Sequence, residues 1–237
     1  MTDEPGAKQG SGMKAALAGH FADIGHDLKT YLNPIIGFAS LLLQDSSRLE
    51  EDQQNYIRLI YASAKQLLGR IDAMVELMRL YAGDVKAEHG VCYLRQIFER
   101  VEVRLGETDA NRLVIQMPEE LIRCRCVPSL LVGLVTELVR FRLKVNEEGT
   151  VRVGCRYDRS DASHIELFIS DDGPGLADRE LETARKIFSD DPGSVRPGGG
   201  SLWMVLASFY ANQTGAQVLL SGGEEKFRVL VPAAQEE

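Results

Sequence analysis

His26 is the residue of this chain best suited to chemistry. It lies in "IGHDLKTYLNPIIGFASLL", residues 24–42, with Asp27, Lys29 and Thr30 close by. An imidazole titrates near neutrality, so at pH 7 it is largely a neutral nucleophile that also exchanges protons. A carboxylate, an amine and a hydroxyl beside it offer a proton acceptor, a positive charge and a hydrogen bond. Two other stretches suit ligand binding. "SDDGPGL" sets Asp171 ahead of Gly173 and Gly175, and "GGGSLWM" contains Gly199, Ser201 and Trp203. Glycine admits a ligand close to the backbone, although D-D-G-P-G also makes a good turn.

The cysteines are Cys92, Cys124, Cys126 and Cys155. Only Cys124 and Cys126 are near neighbours, and their one-residue gap is not that of a zinc knuckle. They read as buried free thiols, with no metal ligand set.

A long helical hairpin must carry His26. Leu17, Phe21, Ile24, Leu28, Tyr31, Ile35, Phe38 and Leu42 alternate gaps of four and three, the rhythm of a coiled-coil seam. "QDSSRLEEDQQ" suits a turn and a helix start. The rhythm resumes at Ile57, Ile60, Ala64, Leu67, Ile71, Met74, Met78 and Tyr81. A second apolar row (Leu32, Ile36, Leu43, then Leu68 and Val75) widens each stripe. One hairpin leaves a wide apolar face wet, so a homodimer forming a four-helix bundle is expected. His26 falls midway between Ile24 and Leu28, on the outermost face with Lys29, Thr30 and Asn33. A core histidine would sit on the stripe. By position alone, His26 also reads as an ordinary surface residue.

Beyond residue 90 the pattern becomes mixed. "VCYLRQIFERVEVRL" reads as a helix, "RLVIQM" and "IRCRC" as strands, and "VPSLLVGLVTELVRFRLKV" as a helix. "GTVRVGCRY" and "HIELFIS" alternate as half-buried strands do, "SLWMVLASFYANQTG" reads as a helix, and "AQVLLSGGEEKFRVLVP" closes as a hairpin. The expected fold is α+β: a flexible tail at 1–13, a helical hairpin at 14–85, and an α/β sandwich at 90–235.

The chain has 237 residues, 44% of them hydrophobic and 26% charged, as in ordinary globular proteins. A net charge of −8 speaks against a nucleic-acid partner. No apolar run reaches the ~18–20 residues of a membrane span. The start, "MTDEPGAKQGSG", lacks the form of a secretory or transit signal, so a cytoplasmic location is expected.

"HDLKTYLNPIIGFASLL" resembles the phosphoacceptor box of bacterial sensor histidine kinases, whose consensus runs H-E-L-R-T-P-L-N-x-I-x-G-F. The resemblance implies a dimeric phosphoacceptor hairpin followed by an α/β sandwich of the histidine kinase ATPase type. It implies phosphorylation at His26, with Asp27 orienting the ring and accepting its proton. Lys29 would offer charge to the phosphoryl oxygens, and Thr30 matches a position that guides water in some relatives. Response-regulator receiver domains are the implied partners, docking around Asp23, Lys29, Thr30 and Asn33. The family's helix-bending proline follows the threonine; here Tyr31 holds that place and proline stands at 34.

The family's nucleotide elements fare less well. Asp171, Gly173 and Gly175 match the D-x-G-x-G box, which binds adenine. The helix that should carry a magnesium-binding asparagine is "LVTELVRFRLKV". Aligned on Glu137, its place falls to Phe141, and one residue earlier to Arg140; neither binds a cation. The G-x-G-x-G run becomes Gly199, Ser201 and Trp203. ATP binding is therefore expected to be lost, with Glu137, Asp171, Gly173, Gly175 and Gly199 vestigial and no tightly bound cofactor. The pattern is similar to ChpT-type histidine phosphotransferases, which relay a phosphoryl group between receiver aspartates, with Mg2+ supplied by the receiver. Two alternatives stand beside it: an ATP-dependent kinase core with an atypical site, and a non-catalytic module that binds a regulator.

Overall fold

The computed structural model describes residues 5–45, 47, 49–83, 88–157, 163–188, 202–220 and 225–234, without the side chains of 5–12 and 179–180. The chain divides into two compact units, Met1–Lys86 and Ala87–Glu237.

The first unit is a hairpin of α1 (Pro5–Gln44) and α2 (Glu51–Ala82). Helix α1 starts at Pro5, so most of the expected tail at 1–13 is helical. Proline suits a first helical turn, where its missing N–H costs nothing, and "AKQ" continues with good helix formers. Helix α2 opens with a capping box in which the Glu50 amide donates to Gln53 Oε1 at 3.1 Å. It ends at Gly83, whose φ of 75° closes the last turn in the left-handed conformation.

The inner row of α1 is not the expected seam. Ala18, Gly25, Leu32 and Ala39, one heptad apart, are the buried residues. Leu32 packs with Ala64 and Ile71 of α2, with Ile36, Leu68 and Val75 at the edge. Leu17, Ile24, Leu28, Ile35, Phe38 and Leu42 are exposed. Small residues win the interior because they let the two backbones approach. Gly25 shows this best, since a Cβ there would collide with Val75 Cγ2.

The second unit holds β1 (Gly90–Tyr93), α3 (Leu94–Leu105), the short α4 (Glu107–Ala110), β2 (Leu113–Gln116), β3 (Arg123–Cys126), α5 (Pro128–Val145), β4 (Val151–Tyr157), β5 (His164–Ser170), α6 (Asp178–Ile187), α7 (Leu202–Thr214), β6 (Gln217–Leu220) and β7 (Glu225–Pro232). "VCY", expected at the head of a helix, is instead strand. Its cysteine and flanking residues pair antiparallel with β3 in a two-stranded ribbon.

The main sheet runs β2-β4-β5-β7-β6, with β2 parallel to β4 and the other pairs antiparallel. Val153, Ile169 and Phe227 form one cross-strand row, and Cys155, Leu167 and Val229 the next, all buried. On the opposite side of the strands Glu166 pairs with Arg156 and Arg228, while Arg156 also donates to Glu225 at 2.7 Å. Helix α5 is the centre of the apolar layer: all residues from Leu130 to Val139 are buried.

Candidate functional site

His26 stands clear of the hairpin. Its side chain is 82% exposed, and Nδ1 lies 3.6 Å from Oδ1 of the equally open Asp27. With a proton on Nδ1 facing that carboxylate, the lone pair of Nε2 points away as the nucleophile. Thr30 Oγ1 donates to the His26 carbonyl at 3.0 Å. One turn on, Pro34 has no N–H for the Thr30 carbonyl, so this segment of α1 carries altered backbone bonding on both sides of Thr30. Gly25 lies against α2 while its neighbour His26 points outward. The close approach at Gly25 thus fixes where the imidazole stands.

Of the other expected residues, Asp23, Thr30 and Asn33 are exposed. Lys29 is half-buried and occupied: its Nζ lies 2.5 Å from Asp72 Oδ1 on α2, an ion pair across the hairpin.

The second unit brings Asp171 and Gly173 close to α5, the helix that carries Glu137, in a way the sequence does not disclose. Asp171 is completely buried and gripped by Arg142, with Nε to Oδ2 at 2.6 Å and Nη2 to Oδ1 at 2.8 Å. Arg142 also donates to the Pro174 carbonyl at 2.7 Å, and the Gly173 amide donates to Asp171 Oδ1 at 2.8 Å. Arg142 Nη1 has no partner among the described residues.

Beside this pair, Phe141 stacks on Trp203 with ring centroids 3.9 Å apart, and Phe227 meets both rings edge-on. Glu137 is nearly buried and takes a 3.4 Å contact from Arg140, which also donates to the Arg104 carbonyl. Gly173 is held close by Asn146, which leaves no room for a Cβ, whereas Gly175 is open. Gly199 and Ser201 lie outside the described residues.

A cluster that spacing did not disclose lies on the β1–β3 ribbon. Cys124 and Cys126 share one face of β3, and Cys92 lies opposite Cys124 across the ribbon. The sulphurs of Cys92 and Cys126 are 2.9 Å apart, those of Cys92 and Cys124 3.4 Å, and those of Cys124 and Cys126 3.7 Å. Hydrogen bonds from Cys124 and Cys126 pull the Cys92 thiol down to about 4, against its burial, with Arg100 adding a favourable charge. At Cys126 the bond with Cys124 lowers the value, but Cys92 and burial outweigh it and leave it at about 12. Cys124 is pushed up by its bonds to Cys126 and Cys92 and by burial. The signal was the strand register, not the spacing of any one segment.

Residues 16–83 match the family model of the His Kinase A (phospho-acceptor) domain. The sensor histidine kinase GacS of Pseudomonas protegens is 27% identical over 208 residues, covering 83% of this chain and 22% of that protein. The signal transduction histidine-protein kinase BarA of Escherichia coli is 26% identical with the same coverage. The chain thus spans about a fifth of the length of the curated relatives it matches. Among solved structures, full-length ShkA in complex with AMPPNP superposes with a TM-score of 0.59 at 17% identity, over 92% of this chain and 46% of that one. The Acinetobacter baumannii histidine kinase AdeS gives 0.52 at 14% identity, over 89% and 98%.

The hairpin that bears His26 matches the phospho-acceptor domain model, and the chain as a whole has the fold of solved histidine kinases, a helical hairpin followed by a mixed α/β domain. No described helix is long and apolar enough to cross a membrane.

Proposed function

We propose that this protein is a histidine phosphotransferase of a phosphorelay, carrying a phosphoryl group on His26 between receiver aspartates of response regulators. His26 Nε2 attacks the phosphorus of an aspartyl phosphate. The new P–N bond forms as the P–O bond to the acyl oxygen breaks, and the aspartate leaves as a carboxylate. Asp27 holds the Nδ1 proton and steadies the ring's growing positive charge. The reverse attack by a second receiver's aspartate returns the imidazole neutral. Mg2+ for both half-reactions belongs to the receiver's acidic pocket. Asp23, Lys29, Thr30 and Asn33 form the docking surface. The exposed row of Leu17, Ile24, Leu28, Ile35, Phe38 and Leu42 supports burial against a second copy in a homodimer.

The observation that carries this reading is the buried Arg142–Asp171 pair. Asp171 is the residue of the D-x-G-x-G box that would hold adenine, and it has no exposed surface to offer. Phe141 and Trp203, which by the sequence resemblance take the places of the magnesium-binding asparagine and a phosphate-cradling glycine, stack on each other, and this supports the reading. The residues present do not fit an adenine nucleotide with its metal, and the reaction proposed takes no step through one.

The second reading, an ATP-dependent kinase, draws on the sensor kinases among the relatives. One experiment separates them. The protein is incubated with a radiolabelled phosphorylated receiver domain and, in parallel, with radiolabelled ATP and Mg2+. Acid-labile label from the receiver alone, lost in His26→Gln, is the expected result. Label taken directly from ATP would establish the kinase. A His26→Gln variant with full relay activity would leave a binding module.

A further inference from the structure

Three thiols converge in the β1–β3 ribbon, where cross-strand register puts them on one face. Cys124 and Cys126 have no exposed surface and Cys92 is 7% exposed. The triangle of 2.9, 3.4 and 3.7 Å has its centre about 2.0 Å from each sulphur, so an ion about 1.2 Å above that plane meets all three at the ~2.3 Å of a zinc–thiolate bond. The three donor atoms all lie within 4.8 Å of one another. We propose that Cys92, Cys124 and Cys126 are the ligands of a soft d10 metal ion, Zn2+ or Cu+, held by three thiolates.

The chemistry of the donors selects this class. Thiolate sulphur is soft and binds Zn2+ and Cu+ well, while Mg2+ and Ca2+ require oxygen. Among the described residues no fourth Cys, His, Asp or Glu joins the group. Zn2+ therefore completes its tetrahedron with water, whereas Cu+ is satisfied by the trigonal set. Each thiol that coordinates releases its proton to solvent, and three M–S bonds replace the S–H bonds.

The site would have a structural effect. Cys124 is bridged to Ala233, just after β7, and Cys92 sits on the first strand of the second unit. One ion would therefore clamp β1 to β3 beside the end of β7. Nothing in this proposal depends on phosphotransfer at His26, and its test reads metal directly.

The full chain, reduced with a phosphine and stripped of metal, is titrated with Zn2+ and, without oxygen, with Cu+, each against a chromophoric chelator. Co2+ serves as the spectroscopic probe. One ion per chain, sulphur-to-cobalt charge-transfer absorption and a metal-dependent rise in melting temperature are expected. Zn2+ uptake assigns a water to the fourth position; uptake of Cu+ alone assigns the trigonal site. Affinity should fall ~100-fold or more in Cys92→Ser and stay unchanged in Cys155→Ser. Circular dichroism of the metal-free Cys92→Ser chain verifies its fold, and Cys126→Ala provides a second variant. Failure of the wild-type chain to take up either ion stoichiometrically overturns the proposal. So does binding that survives unchanged in both cluster variants.

Discussion

Arg142 and Asp171 are joined by two near-parallel hydrogen bonds of 2.6 and 2.8 Å, and neither side chain touches solvent. One stands near the end of α5 and the other just past β5, so the pair ties the central helix to the loop after the sheet. A charge this deeply buried is tolerated only with its partner.

Removing the partner charge should therefore be severe. Asp171→Asn keeps the shape but strands the guanidinium, and is expected to cost about 3–5 kcal/mol of stability. Urea denaturation followed by circular dichroism measures it. A loss well under 1 kcal/mol would mean that the pair is solvated in solution.

Trp203 is the chain's single tryptophan and is packed between Phe141 and Phe227. It is a built-in reporter on this aromatic cluster, where the proposed function expects no nucleotide. Its fluorescence should stay constant on adding a nonhydrolysable ATP analogue with Mg2+, and shift to the red on unfolding in urea. Saturable quenching by the analogue would refute the loss of nucleotide binding.

Gly25→Ala is expected to strain the hairpin by about 1–3 kcal/mol, the usual cost of overpacking. The new methyl meets Val75 Cγ2, and a β-branched side chain has little rotameric freedom to withdraw. Adding Val75→Ala should recover part of the loss, because the two sites share one contact. Thermal melts of the single and double variants supply the comparison. Simple additivity would show that the helices do not meet there.

The sheet-face ion network predicts an acid limb. Arg156 donates to Glu225 and holds its carboxyl below the ordinary range, against the opposing effect of burial. A depressed native pKa stabilises the fold above the unfolded value of ~4.3 and loses that contribution as pH falls through the lower native one. Both groups are partly exposed, so the size is ~1 kcal/mol or less. Wild type and Glu225→Gln should differ in melting temperature at pH 7 and converge below about pH 4. A gap that stays constant with pH would remove the carboxylate from the explanation.

Much of the hairpin was legible because its apolar rhythm is sustained, and because His26 falls between stripes instead of on one. Which stripe faces which partner was not. Reading by hydrophobicity favours Leu17, Ile24 and Leu28, yet Ala18, Gly25 and Leu32 are the residues turned inward, because helices pack closest over small side chains. The departures at Phe141 and Trp203 were visible, but the burial of Asp171 against Arg142 was not. Its partner lies 29 residues earlier, one position beyond the two considered for the missing asparagine. The cysteine trio escaped notice for a related reason. By sequence "VCY" reads as the head of the following helix, and only its pairing with β3 brings Cys92 to Cys124.

Phe141 and Arg142 are consecutive on α5, and each is locked to a different residue far along the chain, Trp203 and Asp171. An asparagine at 141 would open a void under the indole, a glycine at 203 would remove the stack's other half, and freeing Asp171 would leave a cation marooned in oil. Each exchange alone weakens the domain, so the two neighbouring side chains fasten separate stretches of the chain like adjacent buttons on one strip.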